Sequence, residues 1–200
     1  MHTFTKESQQ QMSPGEALER LVDGNRRFMD GTTVQGDHAT RVKETSEGQY
    51  PFAAVLGCID SRAAAEHIFD QGIGEIFNAR VAGNIVNEDI LGSLEYACKV
   101  AGSKLILVLG HTSCGAVTSA CQQVELGNIT TLLSKIQPAV DAFSDAASQV
   151  DRVAAHNVQL SIAQIRKQSS ILAELEKKGA ILIRGAMYDV ATGEVEMLQE

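Results

Sequence analysis

The 200-residue chain contains no tryptophan. No run in it approaches the roughly eighteen consecutive apolar residues of a membrane-spanning helix. Its first residues, MHTFTKESQQQMSPGEALERL, lack the apolar core of a secretory signal. A cytoplasmic chain is therefore expected, in which four cysteines are free thiols or metal ligands sooner than disulfides. Excess basic charge is also missing: 17 Lys and Arg against 25 Asp and Glu leave a net charge of −8. Nucleic acid and anionic membrane surfaces both call for a basic patch, so neither is expected as a partner. A small neutral or singly charged substrate stays open. No repeat, low-complexity tract or linker divides the chain, and one domain over residues 1–200 is expected.

The composition, 44% hydrophobic and 21% charged, is that of a globular protein. Ser13-Pro14-Gly15-Glu16 reads as a helix start, with a capping serine, a proline at the first helical position and a glutamate three residues after the cap. Leu18, Leu21, Val22 and Phe28 then form an apolar stripe at helical spacing. Gly31 to Tyr50 is polar and expected to be irregular. Four short apolar runs read as buried parallel strands: Phe52–Gly57, Glu75–Val81, Leu105–Gly110, and Ala180–Arg184 with an extension towards Tyr188. Helical patterns fall between them, at Ala63–Phe69, Asp89–Ala101, Cys114–Val124, Ile129–Ala142, and twice between Val150 and Lys178. The alternation predicts an α/β fold, a mainly parallel sheet of four to five strands flanked by helices, with an N-terminal helical arm over residues 1–48.

Two strands end in chemistry. The first runs into Cys58-Ile-Asp60-Ser-Arg62, the third into His111-Thr-Ser-Cys114-Gly115. In open parallel sheets ligands gather beyond the carboxyl ends of strands, so two cysteines and a histidine there are able to meet around one ion. Two thiolates and an imidazole suit tetrahedral zinc. Three protein ligands, with the fourth place left to water, are the catalytic pattern; a structural site usually has four. His-x-x-Cys alone is a weak signal, and its pairing with Cys-x-Asp-x-Arg makes it a strong one.

Cys58-Ile-Asp-Ser-Arg62, Arg80-Val-Ala-Gly-Asn84 and Gly110-His-Thr-Ser-Cys-Gly115, in this order, resemble the signature of the β-class carbonic anhydrases. The resemblance is dense between Gln49 and Val117 and reaches the closing Gly185-Ala-Met-Tyr-Asp-Val190. It implies reversible hydration of carbon dioxide to bicarbonate and a proton, on one Zn2+ per chain held by Cys58, His111 and Cys114. It implies Asp60 and Arg62 as the catalytic dyad. In that role Arg62 would grip Asp60 and keep it ionised, ready to accept a hydrogen bond from zinc-bound hydroxide. In a closed state Asp60 would instead become a fourth zinc ligand. Activity is expected to rise with pH above neutrality.

The resemblance extends to a substrate pocket. Gln49, Phe77 and Tyr96 align with pocket residues of the plant-like branch, and Ala63 and Gly115 complete the lining. The other branch carries a tryptophan where this chain has Val55, so an inhibitory bicarbonate site of that type is not expected. Members pair through N-terminal helices and sheet edges, which implies a homodimer or homotetramer in which Gln49, Phe77 and Tyr96 need not serve the zinc of their own chain. One departure stands out: Arg62 is followed by Ala63-Ala64-Ala65 where the family usually has a branched residue and proline. A wider pocket and a freer loop are expected there.

Plainer readings apply elsewhere. His67 reads as a surface side chain sooner than a proton shuttle. His2, His38 and His156 have no motif around them, and Cys98 and Cys121 read as core thiols. Two other functions keep the metal: hydrolysis of carbonyl sulfide or carbon disulfide, which are equally small and linear, and a non-catalytic, bicarbonate-sensing zinc scaffold. A closed structural site would have no use for Arg62.

Overall fold

The structure, a computed structural model, describes residues 4–34 and 37–199. His2 and the first residues of the expected arm lie outside the described residues. Five strands form one sheet: β1 (Ala53–Gly57), β2 (Ile76–Arg80), β3 (Leu105–His111), β4 (Leu182–Tyr188) and β5 (Val195–Met197). Their order is β2-β1-β3-β4-β5. The first four pair in parallel and β5 runs antiparallel to β4. Ten α-helices are described: α1 (Lys6–Gln11), α2 (Pro14–Met29), α3 (His38–Glu44), α4 (Ala65–Ile68), α5 (Glu88–Glu95), α6 (Gly115–Cys121), α7 (Gly127–Leu133), α8 (Gln137–Val140), α9 (Val150–Gln168) and α10 (Ser170–Lys177).

The central strands are apolar throughout because both faces of the sheet are covered. Successive side chains alternate between two cores. Ala53, Val55, Leu105, Leu107 and Leu109 pack with Ala17 and Leu21 of α2 and Ile68 of α4. Ala54, Leu56, Ile106 and Val108 pack on the other face with Leu94 of α5, Val158 and Ile165 of α9, and Leu172 of α10. Each fully buried aliphatic side chain contributes about 1.5–3 kcal/mol relative to leaving it in water.

Helix α2 begins as its sequence predicts: the Ser13 side chain accepts from the Glu16 N–H, and Glu16 reaches back to the Ser13 N–H at 2.7 Å. Its contact with the sheet layer depends on Gly24, where a Cβ would stand 1.8 Å from the Phe69 carbonyl oxygen. Buried amides complete the docking of the arm on its own chain. Gln9 Nε2 donates to the Pro51 and Ala101 carbonyls, each at 2.8 Å, and Asn25 Nδ2 donates to the Gly193 carbonyl at 2.8 Å.

Three expectations change. The Gly31–Tyr50 stretch is not wholly irregular, because Asp37 caps the short helix α3; its residues 35–36 lie outside the described residues. The single helix expected over Ile129–Ala142 is two, α7 and α8, with Pro138 in the first turn of the second, where its missing N–H does no harm. The Asp89–Ala101 helix relaxes after Glu95 into a π-turn over Tyr96–Val100.

Candidate metal centre

Strands β2 and β3 flank β1 on opposite sides, so the direction of sheet growth reverses beside β1. In open parallel sheets ligands bind at such a reversal, outside the carboxyl ends of the strands. Cys58 follows the last residue of β1, and His111 is the last residue of β3. Parallel register sets Gly57 against Leu109, which brings these two ends level. Cys114 is the N-cap of α6. The ligand atoms of Cys58, His111 and Cys114 all lie within 4.8 Å of one another, and all three residues are buried. No other metal-capable cluster occurs among the described residues.

The donor set fits a divalent metal on three grounds. First, His111 Nδ1 lies 2.9 Å from the Thr112 carbonyl, which only accepts, so Nδ1 carries the proton. The lone pair is then on Nε2, a buried atom without any hydrogen-bond partner. Orientation of a ligating imidazole by a carbonyl on its other nitrogen is the usual support of such sites. Second, the two sulfurs stand 4.0 Å apart. Two sulfurs about 2.3 Å from one tetrahedral zinc would stand about 3.8 Å apart. Third, the site attracts positive charge. The Cys114 thiol donates to Cys58, which lowers Cys58 below the usual thiol range and raises Cys114 in turn. Burial opposes charge on His111, but Cys58, the Thr112 carbonyl and Asp60 outweigh it and raise its pKa. A bound cation releases the proton that Cys114 still carries and takes the imidazole as neutral donor.

Asp60 stands beside this cluster, with Oδ2 3.9 Å from His111 Nε2. Both its oxygens are engaged by Arg62: Nε donates to Oδ1 at 2.9 Å and Nη2 to Oδ2 at 2.8 Å. These hydrogen bonds hold the carboxyl well below the ordinary carboxylate range, against the effect of burial. The side chain of Asp60 is thus turned towards Arg62.

The family model for carbonic anhydrase matches residues 53–195. A carbonic anhydrase of Mycolicibacterium smegmatis is 36% identical over 192 residues, covering 92% of this chain and 93% of that protein. Carbonic anhydrase 2 of Mycobacterium tuberculosis is 36% identical over 191 residues, covering 90% of this chain and 91% of that protein. The chain belongs to the β-carbonic anhydrase family. Among solved structures, the Coccomyxa β-carbonic anhydrase, determined with acetazolamide, superposes with a TM-score of 0.73 at 25% identity, covering 92% of this chain and 86% of that one. A tetrameric β-carbonic anhydrase of Sordaria macrospora superposes with a TM-score of 0.71 at 23% identity, over 81% of this chain and 91% of that one.

In this chain the loop residues near Cys58, His111 and Cys114 are tied down by partners far away in sequence. Arg80, the last residue of β2, donates from Nε to the Cys58 carbonyl at 2.8 Å and from Nη2 to the Asp60 carbonyl. It therefore fixes the turn that carries both Cys58 and Asp60. Asp151 of α9 accepts the Ser113 N–H at 2.7 Å, holding a non-glycine residue at φ 54 immediately before Cys114. Gly83 donates its N–H to Cys58 Sγ at 3.3 Å. The Arg-Val-Ala-Gly-Asn motif marks Arg80 and Gly83 in the sequence, but their targets, and the role of Asp151, come only from the tertiary fold.

The residues expected to line a substrate pocket are dispersed in a single chain. Phe77 and Tyr96 form an edge-to-face pair, with centroids 6.4 Å apart. They line an open cleft of about 620 Å³ along the outer edge of β2, and no metal-cluster residue lines it. Gln49 is exposed. Ala63 is buried in the core cluster with Phe69 and Leu109, and Gly115 opens α6 with free space around its Cα. Ala64 serves as the N-cap of α4 without any side-chain hydrogen bond, so the helix behind the dyad starts without a cap. His67 is exposed and lines a separate cleft with His38 and Arg41. Cys98 is buried, and burial pushes its thiol up to about 12, as for a core residue. Cys121 is only half-buried.

Proposed function

We propose that this chain catalyses the reversible hydration of carbon dioxide to bicarbonate and a proton, on one zinc ion held by Cys58, His111 and Cys114. The observation that carries the reading is the buried, unpartnered Nε2 of His111, between two cysteines and beside a carboxylate clamped by arginine. Zinc, when bound, supplies a Lewis acid that makes hydroxide available from water near neutral pH. The protein supplies orientation. Asp60, kept ionised by Arg62, accepts a hydrogen bond from the attacking oxygen and thereby directs a lone pair at the carbon. Arg62 Nη2 also reaches the Ser113 carbonyl at 3.4 Å, which links the dyad to the loop that carries Cys114.

The substrate pocket is completed between subunits, in the plant-like manner. Phe77 and Tyr96 sit at the open edge of β2, and Tyr96 is 56% exposed. With Gln49 they serve the metal centre of a partner chain, and the N-terminal arm takes part in the dimer. A homodimer or homotetramer follows, and the tetrameric Sordaria macrospora relatives support the larger form. The compartment is the cytoplasm, where free Cys58 and Cys114 remain available to the metal.

Metal analysis joined to hydration kinetics tests the reading. The expected result is one zinc per chain, hydration abolished by a chelator and restored by zinc. One zinc per chain with no hydration, but with hydrolysis of carbonyl sulfide, would transfer the site to that substrate. A zinc-loaded protein inert to both would make it a scaffold.

A further inference from the structure

Helix α9 lies behind the metal centre and touches one of its loops through two buried polar side chains. Asn157 and Ser161 stand one helical turn apart, each 3% exposed. Asn157 Nδ2 donates to the Gly83 carbonyl at 2.8 Å, and Ser161 Oγ donates to the Asn84 carbonyl at 3.2 Å. These are consecutive carbonyls in the short 3₁₀ turn Ala82–Asn84. The turn holds two left-handed residues in a row, Gly83 at φ 69 and Asn84 at φ 43. Such backbone persists only where its surroundings overdetermine it. No side chain of its own caps this turn. The support comes from α9, 74 positions away. The chemical product of the arrangement is one N–H, that of Gly83, aimed at Cys58 Sγ.

We propose that Asn157 is a positioning residue of the metal centre: by holding the Gly83 carbonyl it aims the Gly83 N–H at the Cys58 sulfur and keeps that sulfur in ligand geometry. The proposal rests on Cys58 being a zinc ligand. Asn157 touches neither sulfur nor substrate; it acts through one residue, Gly83, whose held carbonyl and donating N–H lie in the two peptides that flank its Cα. A hydrogen bond to sulfur fixes the direction of its lone pairs and spreads its negative charge. Removing the Asn157 amide leaves a buried carbonyl without its donor and releases the turn. Ser161 is the natural control, because it grips the neighbouring carbonyl, whose residue donates nothing to the sulfur.

The test uses zinc-loaded wild type, Asn157→Ala and Ser161→Ala, with the rate of zinc release to a colorimetric chelator as one readout. Exchange of the Gly83 amide by NMR is the second. The expected result is a protected Gly83 amide in wild type, and in Asn157→Ala faster exchange with zinc release accelerated about tenfold or more, the usual effect of losing an outer partner of a ligand. Ser161→Ala should melt earlier yet keep wild-type zinc release and Gly83 protection. Equal release from the two variants would overturn the proposal. So would a Gly83 amide that exchanges freely in wild type, a reading that stands even if Asn157→Ala does not fold. Wild type that binds no zinc would instead sink the premise, and is told apart by metal analysis beforehand.

Discussion

Arg62 meets Asp60 with both arms of its guanidinium, and the Arg62 backbone N–H reaches Oδ1 as well, at 2.9 Å. A carboxylate held three ways has one orientation, and in the proposed reaction that orientation is what Asp60 contributes. Arg62→Lys keeps the charge but loses the planar fork. Steady-state kinetics should show kcat/KM falling about 100-fold, the order expected when a reacting group is misplaced by an ångström. Zinc content should stay at one per chain. Full activity in Arg62→Lys would mean that charge alone suffices.

The same pair has a pH signature. The folded pKa of Asp60 is depressed. Its contribution to stability is therefore complete above the unfolded value of about 3.9 and is lost as pH falls through the lower, folded value. Carboxyl titration by NMR should find Asp60 ionised well below pH 3.9, and Arg62→Ala should move its titration back towards that ordinary value. An Asp60 that titrates normally in the wild type would contradict the clamp.

Metal removal should silence the protein without unfolding it. The two cores on the faces of the sheet lack the metal residues altogether; Cys58 and Cys114 belong to a third cluster at the strand ends. Circular dichroism of chelator-treated protein should keep its α/β spectrum, with melting at a lower temperature because the ion binds only the folded chain. Wholesale unfolding on chelation would make the site structural.

How much of this was legible in the sequence depends on range. The buried strand β3 announces itself as an unbroken apolar run, and the capping box at Ser13 is local chemistry. Cys58 and His111 were legible because each lies at the carboxyl end of a parallel strand, and Cys114 because it follows His111 by three residues, where the chain turns into α6. The short helix α3 was not, since Asp37 caps a helix whose residues are mostly polar and leave only Arg41 buried. β5 is three residues long and pairs antiparallel, and so carries no pattern of its own. The supports contributed by Arg80, Asp151 and Asn157 act across 22, 38 and 74 positions, and no periodicity reports them. Phe77 and Tyr96 gave an aromatic signal, and the cleft they line holds none of Cys58, His111 and Cys114 of their own chain.

Gly83 should tolerate no side chain. Its φ is 69, and an added Cβ would lie 2.5 Å from Ile136 Cδ1. Gly83→Ala is expected to destabilise by about 1–3 kcal/mol from backbone strain, before the clash is counted. Combining it with Ile136→Val should recover the steric part only. Denaturant unfolding of the single and double variants checks both claims.

Ala64 offers the opposite case. Its φ of −80 and ψ of 108 are those of an N-cap, but its methyl group accepts nothing. Ala64→Ser should add a hydrogen bond to the first turn of α4 and stabilise by about 1 kcal/mol. Thermal melting would show the gain, and no gain would mean that the turn is already satisfied.

Stopped-flow hydration of carbon dioxide decides whether Cys58, His111 and Cys114 hold a catalytic zinc. Zinc-loaded protein and its Cys58→Ser variant are compared at about pH 8.5, on the alkaline side of the roughly neutral pKa that zinc confers on water. The expected result is rapid hydration in wild type and its loss in the variant. A wild type with one zinc per chain that hydrates no faster than Cys58→Ser would contradict it.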